Sequence, residues 1–313
     1  MVTLGVQIEP QFGYTYEEVL DVGRACEELG FTTLHISDHL MLGAEAVDTD
    51  CLECWTLLSA LAADLSKVRL GPLVTCNSYR HPSLLAKMAA SLDVISDGRL
   101  EFGLGAGWKE VEYRAYGYPF PSARERVDRM GEALQIIRRL WTEERASFAG
   151  RYYTIKNAVC APKPAQDGGP PLWVGGRGDR TLRLAVRGAD GVNVAAFPTP
   201  EEYGERMDAL RRFAEEEGRD FSQLGKSHFM WALIAQPTEV DAMVKSFAQT
   251  LGAPEDRIRA VGGRGYLGEA EGAISTFTKF TEAGAQHLIL AFAKGWERPS
   301  MELIHDHVMS QLP

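Results

Sequence analysis

Eight short apolar runs, most of them followed by a segment of helical periodicity, constrain this chain more than any single motif. They are Thr3–Ile8, Thr32–Ile36, Arg69–Val74, Arg99–Leu104, Leu172–Val174, Gly191–Val194, Ser227–Ile234 and His287–Ala291. Helices are expected near Tyr16–Leu29, Leu52–Leu65, Pro82–Ile95, Ala123–Trp141, Arg180–Arg187, Pro200–Glu217, Glu239–Leu251 and Gly268–Ala283, with a last one at Ser300–Leu312. Near-continuous apolar strands in strict alternation with helices read as a parallel sheet covered by helices. Eight such strands close on themselves, so the expected fold is α/β, a single (β/α)8 TIM barrel over residues 1–313. Two stretches exceed ordinary βα connections: residues 108–122 after the fourth strand and 143–171 before the fifth. The second holds Phe148–Ile155, which reads as a β-hairpin, and then two proline-rich stretches. Such insertions shape a site mouth, make an oligomer contact or simply connect.

Composition narrows the function classes. At 45% apolar and 24% charged, the 313 residues are those of an ordinary globular chain. A net charge of −10 argues against non-specific nucleic-acid binding, which needs a basic footprint. Five cysteines, an odd number in a long chain, argue against a disulfide framework. A strand-like run opens the chain where a secretory leader would need a basic and then an apolar region. No apolar run approaches the roughly 20 residues of a membrane span. The expectation is a reduced, cytoplasmic protein with no membrane partner.

Chemistry concentrates between Val68 and Tyr116, which read as strand, polar loop, helix, strand and glycine loop. Leu84, Leu85, Met88, Leu92 and Ile95 form the expected apolar face of the helix. Polar residues after consecutive parallel strands are how a barrel of this kind builds an active site. Asp38 and His39 follow the second strand, where a carboxylate beside an imidazole can orient a ring, share a proton or simply form a surface pair. Val74-Thr75-Cys76-Asn77 ends the third, offering donors and acceptors to a polar ring edge, with Cys76 a small wall residue rather than a nucleophile. Gly103-x-Gly105-x-Gly107 follows the fourth, but lacks the third glycine of a dinucleotide fingerprint. Its glycines are read as letting the backbone approach a flat ligand. Trp108, Lys109, Glu110 and Glu112 come next, where an acid or a stacking ring would serve.

A second signal lies at Gly175-Gly176-Arg177-Gly178-Asp179-Arg180, a strand, a glycine turn and a helix start. Free backbone N–H groups, the helix dipole and Arg177 or Arg180 together suit an anion, though a tight turn capped by Asp179 is the bland alternative. Cys51 and Cys54 form a lone C-x-x-C with no second pair at zinc spacing, and are read as incidental. His305 and His307 do not share a helix face, so no metal is expected. Gly262–Gly265 and Gly268–Gly272 read as glycine-rich turns without a clear role. Phe12, Trp55, Tyr79, Tyr116 and Phe120 could line an aromatic pocket or pack as core.

Taken in order, these residues resemble the luciferase-like monooxygenase superfamily, and within it the oxidoreductases that use the deazaflavin coenzyme F420. The resemblance spans nearly the whole chain. It rests on Glu28-Leu-Gly-Phe31, Ser37-Asp-His39, Arg80-His-Pro82, Asp93-Val-Ile-Ser-Asp-Gly-Arg99, Gly103-Leu-Gly-Ala-Gly-Trp108, Gly150-Arg-Tyr-Tyr153 and Gly175-Gly-Arg-Gly178. It implies a ring at the C-terminal strand ends, contacted by Asp38, with His39 beside its redox carbon and Val74–Asn77 behind it, where relatives carry a bulged non-proline cis peptide. It also implies a cofactor phosphate on the Gly175–Gly178 loop, and a homodimer. Some deazaflavin relatives place a catalytic Glu directly after the glycine loop. Here Trp108 stands there, so Glu110 or Glu112 takes its place, Glu110 being counted in the catalytic set, or the enzyme does without that acid.

Three functions follow. The first is hydride transfer between F420 and a small organic substrate, with His39, Asp38 and Glu110 as the catalytic set. The second is an FMN-dependent monooxygenase supplied by a separate flavin reductase, in a pocket that shields a reactive flavin from water. The third, since fold does not guarantee chemistry, is a ligand-binding barrel without catalysis.

Overall fold

A computed structural model describes residues 2–195, 197–260 and 265–313, so Gly262–Arg264 of the glycine-rich turn lie outside it. The barrel strands are β1 (Thr3–Ile8), β2 (Thr33–Ile36), β3 (Arg69–Pro72), β4 (Thr75–Cys76) and β5 (Phe102–Gly105). After a hairpin of β6 (Ala146–Ala149) and β7 (Thr154–Ala158) come β8 (Leu172–Gly175), β9 (Gly191–Val194), β10 (Gly225–Ile234), β11 (Tyr266–Gly268) and β12 (His287–Ala291). The order around the sheet is β3-β2-β1-β12-β10-β9-β8-β5-β4, all parallel, with β11 added beside the end of β10. A bridge between Leu70 of β3 and Leu100, just before β5, closes the ring, and β4 pairs with β5 through Thr75–Leu104 and Cys76–Gly105. The expected third strand is thus a bent pair, β3 and β4, and the eight-fold barrel of the sequence reading is present.

Helices α1 (Tyr16–Leu29), α2 (Cys54–Asp64), α3 (Pro82–Ile95), α4 (Glu110–Ala115), α5 (Ala123–Thr142), α6 (Asp179–Gly188), α7 (Pro200–Glu216), α8 (Val240–Leu251), α9 (Glu255–Arg259), α10 (Ala270–Glu282) and α11 (Glu297–His307) fill the connections. The starts follow from local chemistry. Thr15 and Thr199 each close a capping box with the glutamate three residues on, satisfying N–H groups that the first turn leaves unpaired. Gly30 ends α1 at φ 80°, a conformation glycine adopts without Cβ strain.

The apolar face of α3 differs from the expected one. Leu85, Ala86, Ala89, Ala90 and Leu92 are buried, whereas Leu84 and Ile95 are exposed. Alanines let this helix lie close against its neighbours, and alanine carries little weight in a periodicity built on large side chains. The Asp93–Arg99 signature is structural. Arg99 donates to the carbonyls of Ala62, Leu65 and Val68, tying the end of α2 to the start of β3, while Asp93 accepts from the backbone and side chain of Gln166 in the second insertion.

Candidate active site

The C-terminal ends of β2, β4 and β5 bring the candidate residues together. Thr33, His35 and Ser37 share the inner face of the second strand, and the chain leaves it at Asp38 and His39. Asp38 is buried and its carboxylate is taken up inside the protein. One oxygen accepts from Thr75 Oγ1 at 2.8 Å, Cys76 N at 2.8 Å and Arg80 at 2.7 Å, and the other from Arg80 at 3.0 Å. Arg80 also meets Glu53, which caps α2, and burial lowers its pKa less than Asp38 and Glu53 raise it. Asp38 therefore fixes the bend between β3 and β4, which holds a cis peptide between Leu73 and Val74.

That bend explains the glycines of β5. A Cβ at Gly103 would lie 2.2 Å from Pro72 O, and one at Gly105 would lie 2.4 Å from a methyl of Val74. At Gly175 of β8 it would lie 2.8 Å from the other methyl. The residues expected to admit a flat ligand instead make room for the protein's own Val74. Gly107, at φ 79°, sits against the Tyr113 hydroxyl and the Cys76 thiol. Of Val74–Asn77, Thr75 serves Asp38 and the Trp55 indole, while Cys76 bonds Tyr113 at 3.1 Å and burial raises its thiol to about 11. Asn77 retains capacity: its amide donates to Tyr153 at 3.4 Å, and its buried Oδ1 has no partner.

Glu112 is the carboxylate that meets His39. It projects from α4, a short helix in the first insertion, and is buried. His39 Nδ1 lies 3.1 Å from both its oxygens, and Leu40 N (2.9 Å), Met41 N (3.3 Å), Tyr79 Oη (2.8 Å) and Lys109 Nζ (3.1 Å) converge on it as well. Burial raises its pKa, but the His39 contact, the Leu40 N–H and the Lys109 charge outweigh that and bring it down to about 2. An ionised carboxylate only accepts, so it holds the proton of His39 on Nδ1 and leaves Nε2 for other chemistry. Trp108, 71% exposed, packs edge-on against the His39 ring at 5.6 Å. Glu110 is on the solvent side of α4, paired with Arg114 at 2.6 Å, and does not reach this cluster. The sequence shows only that Glu112 stands three residues from Lys109, and the structure is what turns both inward.

Past β8, Gly178 is the N-cap of α6 and has no side chain to cap it. Leu182 N makes the first intrahelical bond, to Gly178 O, so the N–H groups of Asp179, Arg180 and Thr181 have no intrahelical acceptor. Arg177 is exposed on this loop, whereas Arg180 pairs with Asp128 and Asp179 with Arg206 at 3.2 Å. An uncapped helix start with a nearby arginine suits a phosphate. Asn77, after β4, adds a buried oxygen without a partner.

Three further polar residues at the end of β1 went unread in the sequence. Gln7 and Gln11 both donate to the carboxylate of Glu9, and Ser37 donates to Gln11 at 3.0 Å. Only Gln7 lies within β1, while Glu9 and Gln11 belong to the turn after it, where strand alternation gives no signal. Cys51 and Cys54, by contrast, donate to the carbonyls of His39 and Ile36 and belong to the loop packing.

The sequence profile of luciferase-like monooxygenases matches residues 2–311. The chain belongs to that family. Among curated luciferase-like relatives, it is 35% identical over 202 residues to an F420-dependent glucose-6-phosphate dehydrogenase of Microbacterium testaceum, covering 63% of this chain and 57% of that one. It is 32% identical over 212 residues to the F420-dependent hydroxymycolic acid dehydrogenase of Mycobacterium tuberculosis, covering 67% and 57%. The alignments therefore span less than two thirds of these relatives. Over 100% of this chain and 99% of the other, the fold matches an F420-dependent secondary alcohol dehydrogenase solved with an F420-acetone adduct, at a TM-score of 0.86 and 20% identity. It matches the F420-dependent tetrahydromethanopterin reductase of Methanopyrus kandleri over the same shares, at 0.81 and 19%. At such identities the likeness concerns the fold alone.

Proposed function

We propose that this luciferase-like barrel is an F420-dependent oxidoreductase acting on a small organic substrate. The observation that carries the reading is the His39–Glu112 pair at the barrel mouth, beside the bend that Asp38 and Arg80 hold rigid. The F420-dependent relatives support deazaflavin over FMN. Asn77, the Val74 bend, the α6 start and Arg177 would hold the cofactor. When bound, F420 would supply a two-electron hydride donor or acceptor.

The protein's own part is electrostatic and positional. His39 Nε2 takes a proton from a substrate hydroxyl, or gives one to a carbonyl oxygen, depending on direction. Glu112 stabilises the imidazolium that forms when His39 is protonated. Lys109, Tyr79 and two backbone N–H groups keep Glu112 ionised and fixed in place, so the ring needs no reorganisation. Asp38 acts through the bend and is a positioning residue in this scheme. A homodimer and a cytoplasmic location belong to the same reading, and a flavin reductase would be needed only if FMN were the cofactor.

Titration of the purified protein with F420 and separately with FMN, followed by tryptophan fluorescence, tests this. The expected result is saturable F420 binding at least tenfold tighter than FMN. Tighter FMN binding would move the chain to the flavin monooxygenases, and binding of neither would overturn the enzymatic reading.

A further inference from the structure

An aromatic wall at the barrel mouth identifies the kind of substrate, given the oxidoreductase reading above. β10 is ten residues long, and its side chains alternate between two faces. Ser227 lines a cavity in the barrel floor, which makes its face the inner one, whereas His228 stacks on Phe280 of α10 at 4.2 Å and so faces outward. Phe229 and Trp231 therefore point inward, nearer the mouth than Ser227. Phe197, just past β9, lies 5.5 Å from Phe229. Phe12, just past β1, stacks on Trp231 at 6.0 Å, and Phe247 of α8 backs Trp231 at 4.9 Å. Phe247 is buried, but Phe12, Phe197, Phe229 and Trp231 all keep part of their surface open.

Topology sets this wall opposite the cofactor-backing bend. With β3 and β4 counted as one strand, β10 is four strands away in either direction around the eight-stranded barrel. At its other end the wall reaches the second strand, because Gln11, next to Phe12, accepts from Ser37. Among the described residues, four cations of the loops at this end are already engaged, and the exposed Arg177 is the one assigned to the cofactor phosphate. Lys109 is held by Glu112 and Met41 O, Arg80 by Asp38 and Glu53, Arg126 by the carbonyls of Gly107 and Pro121, and Lys294 by Glu18 and Gly13 O. A phosphorylated sugar would need fixed cations and many hydroxyl partners. This wall presents ring faces instead, near the carboxylate of Glu9.

We propose that the substrate is an uncharged alcohol or carbonyl compound with an aromatic or branched apolar body. That body packs on Phe229 and Trp231, and its oxygen reaches His39. Phe229 and Trp231 are then specificity residues, separate from the proton-handling pair.

Saturation-transfer NMR with acetophenone as probe, on the apoprotein and on the F420-loaded protein, tests the proposal, with glucose 6-phosphate as competitor. Acetophenone is expected to bind, to resist competition, and to weaken at least tenfold in Phe229→Ala while the F420 dissociation constant stays within threefold. Trp231→Leu, which keeps an apolar side chain, guards against a folding artefact and is expected to weaken the probe in the same direction. Displacement by glucose 6-phosphate, no binding of acetophenone, or unchanged affinity in both variants would overturn the proposal. Failure of F420 to bind, with acetophenone still dependent on Phe229, would overturn the cofactor reading and leave the substrate class standing.

Discussion

Two histidines four residues apart, His35 within the second strand and His39 just past its end, face opposite ends of the barrel. His35 lies toward the floor, in the wall of a cavity of about 340 Å³ that it shares with His287, Thr33 and Trp173. Burial, and then the neighbouring His287, depress its pKa to about 3. Burial likewise takes His287 to about 4, between hydroxyls of Thr3 at 2.8 Å and Thr33 at 2.9 Å. His39, at the mouth, is partly open and set against an ionised glutamate. The floor therefore keeps its imidazoles neutral as packing, while the mouth gives one imidazole a fixed counter-charge and a free nitrogen. Charge partners, more than residue type, separate a structural histidine from a working one.

The largest expected effect tests that division directly. His39→Ala should lower turnover of the loaded enzyme by about 10²–10⁴-fold, the usual range for a lost general acid or base. His35→Gln should leave turnover within threefold and lower only the unfolding free energy. Equal losses of turnover in two folded variants would erase the distinction between floor and mouth.

A smaller effect concerns Asp38, which stands beside His39 in the sequence but serves the scaffold. Asp38→Asn leaves the half-buried Arg80 without its bidentate partner and should cost about 3 kcal/mol in urea unfolding. If the variant unfolds like the native chain yet loses affinity for F420, then Asp38 contacts the cofactor directly, as the family resemblance implies.

The most gradual effect is a slope in pH. His35, His287 and His228 have folded pKa values of about 3, 4 and 4, below the 6.5 of the unfolded side chain. Between those values the unfolded chain binds more protons, so stability rises with pH and is fully present above about 6.5. Each such histidine contributes about 1.4 kcal/mol per pH unit in that window. His287→Gln should flatten the stability profile between pH 4 and 6.5 by about that amount. An unchanged slope would mean that the floor imidazoles are already charged in the folded state.

Much of the architecture was legible because it follows from local rules. Apolar runs at β1, β9 and β12 matched the strands residue for residue, since strands covered on both faces need apolar residues throughout. Helices α1 and α3 matched as well, the first through its Thr15 capping box and glycine stop and the second through Pro82 at its start. The site was legible as an ordered set of loops and less so in its contacts. The sequence places Asp38 at the site but does not show its partner Arg80, 42 residues away, and it does not show which of Glu110 and Glu112 turns inward from a short helix.

The sequence by itself determined the alternation of strands and helices, and with it the barrel and the end at which polar loops collect, because periodicity and capping act between near neighbours. Only the tertiary structure decided which carboxylate holds His39, that Val74 occupies the space left by Gly103, Gly105 and Gly175, and that rings from β10, α8 and the turns after β1 and β9 form one wall. Those contacts join residues tens to hundreds of positions apart. They depend on burial, charge and close approach, which exist only once the barrel has closed.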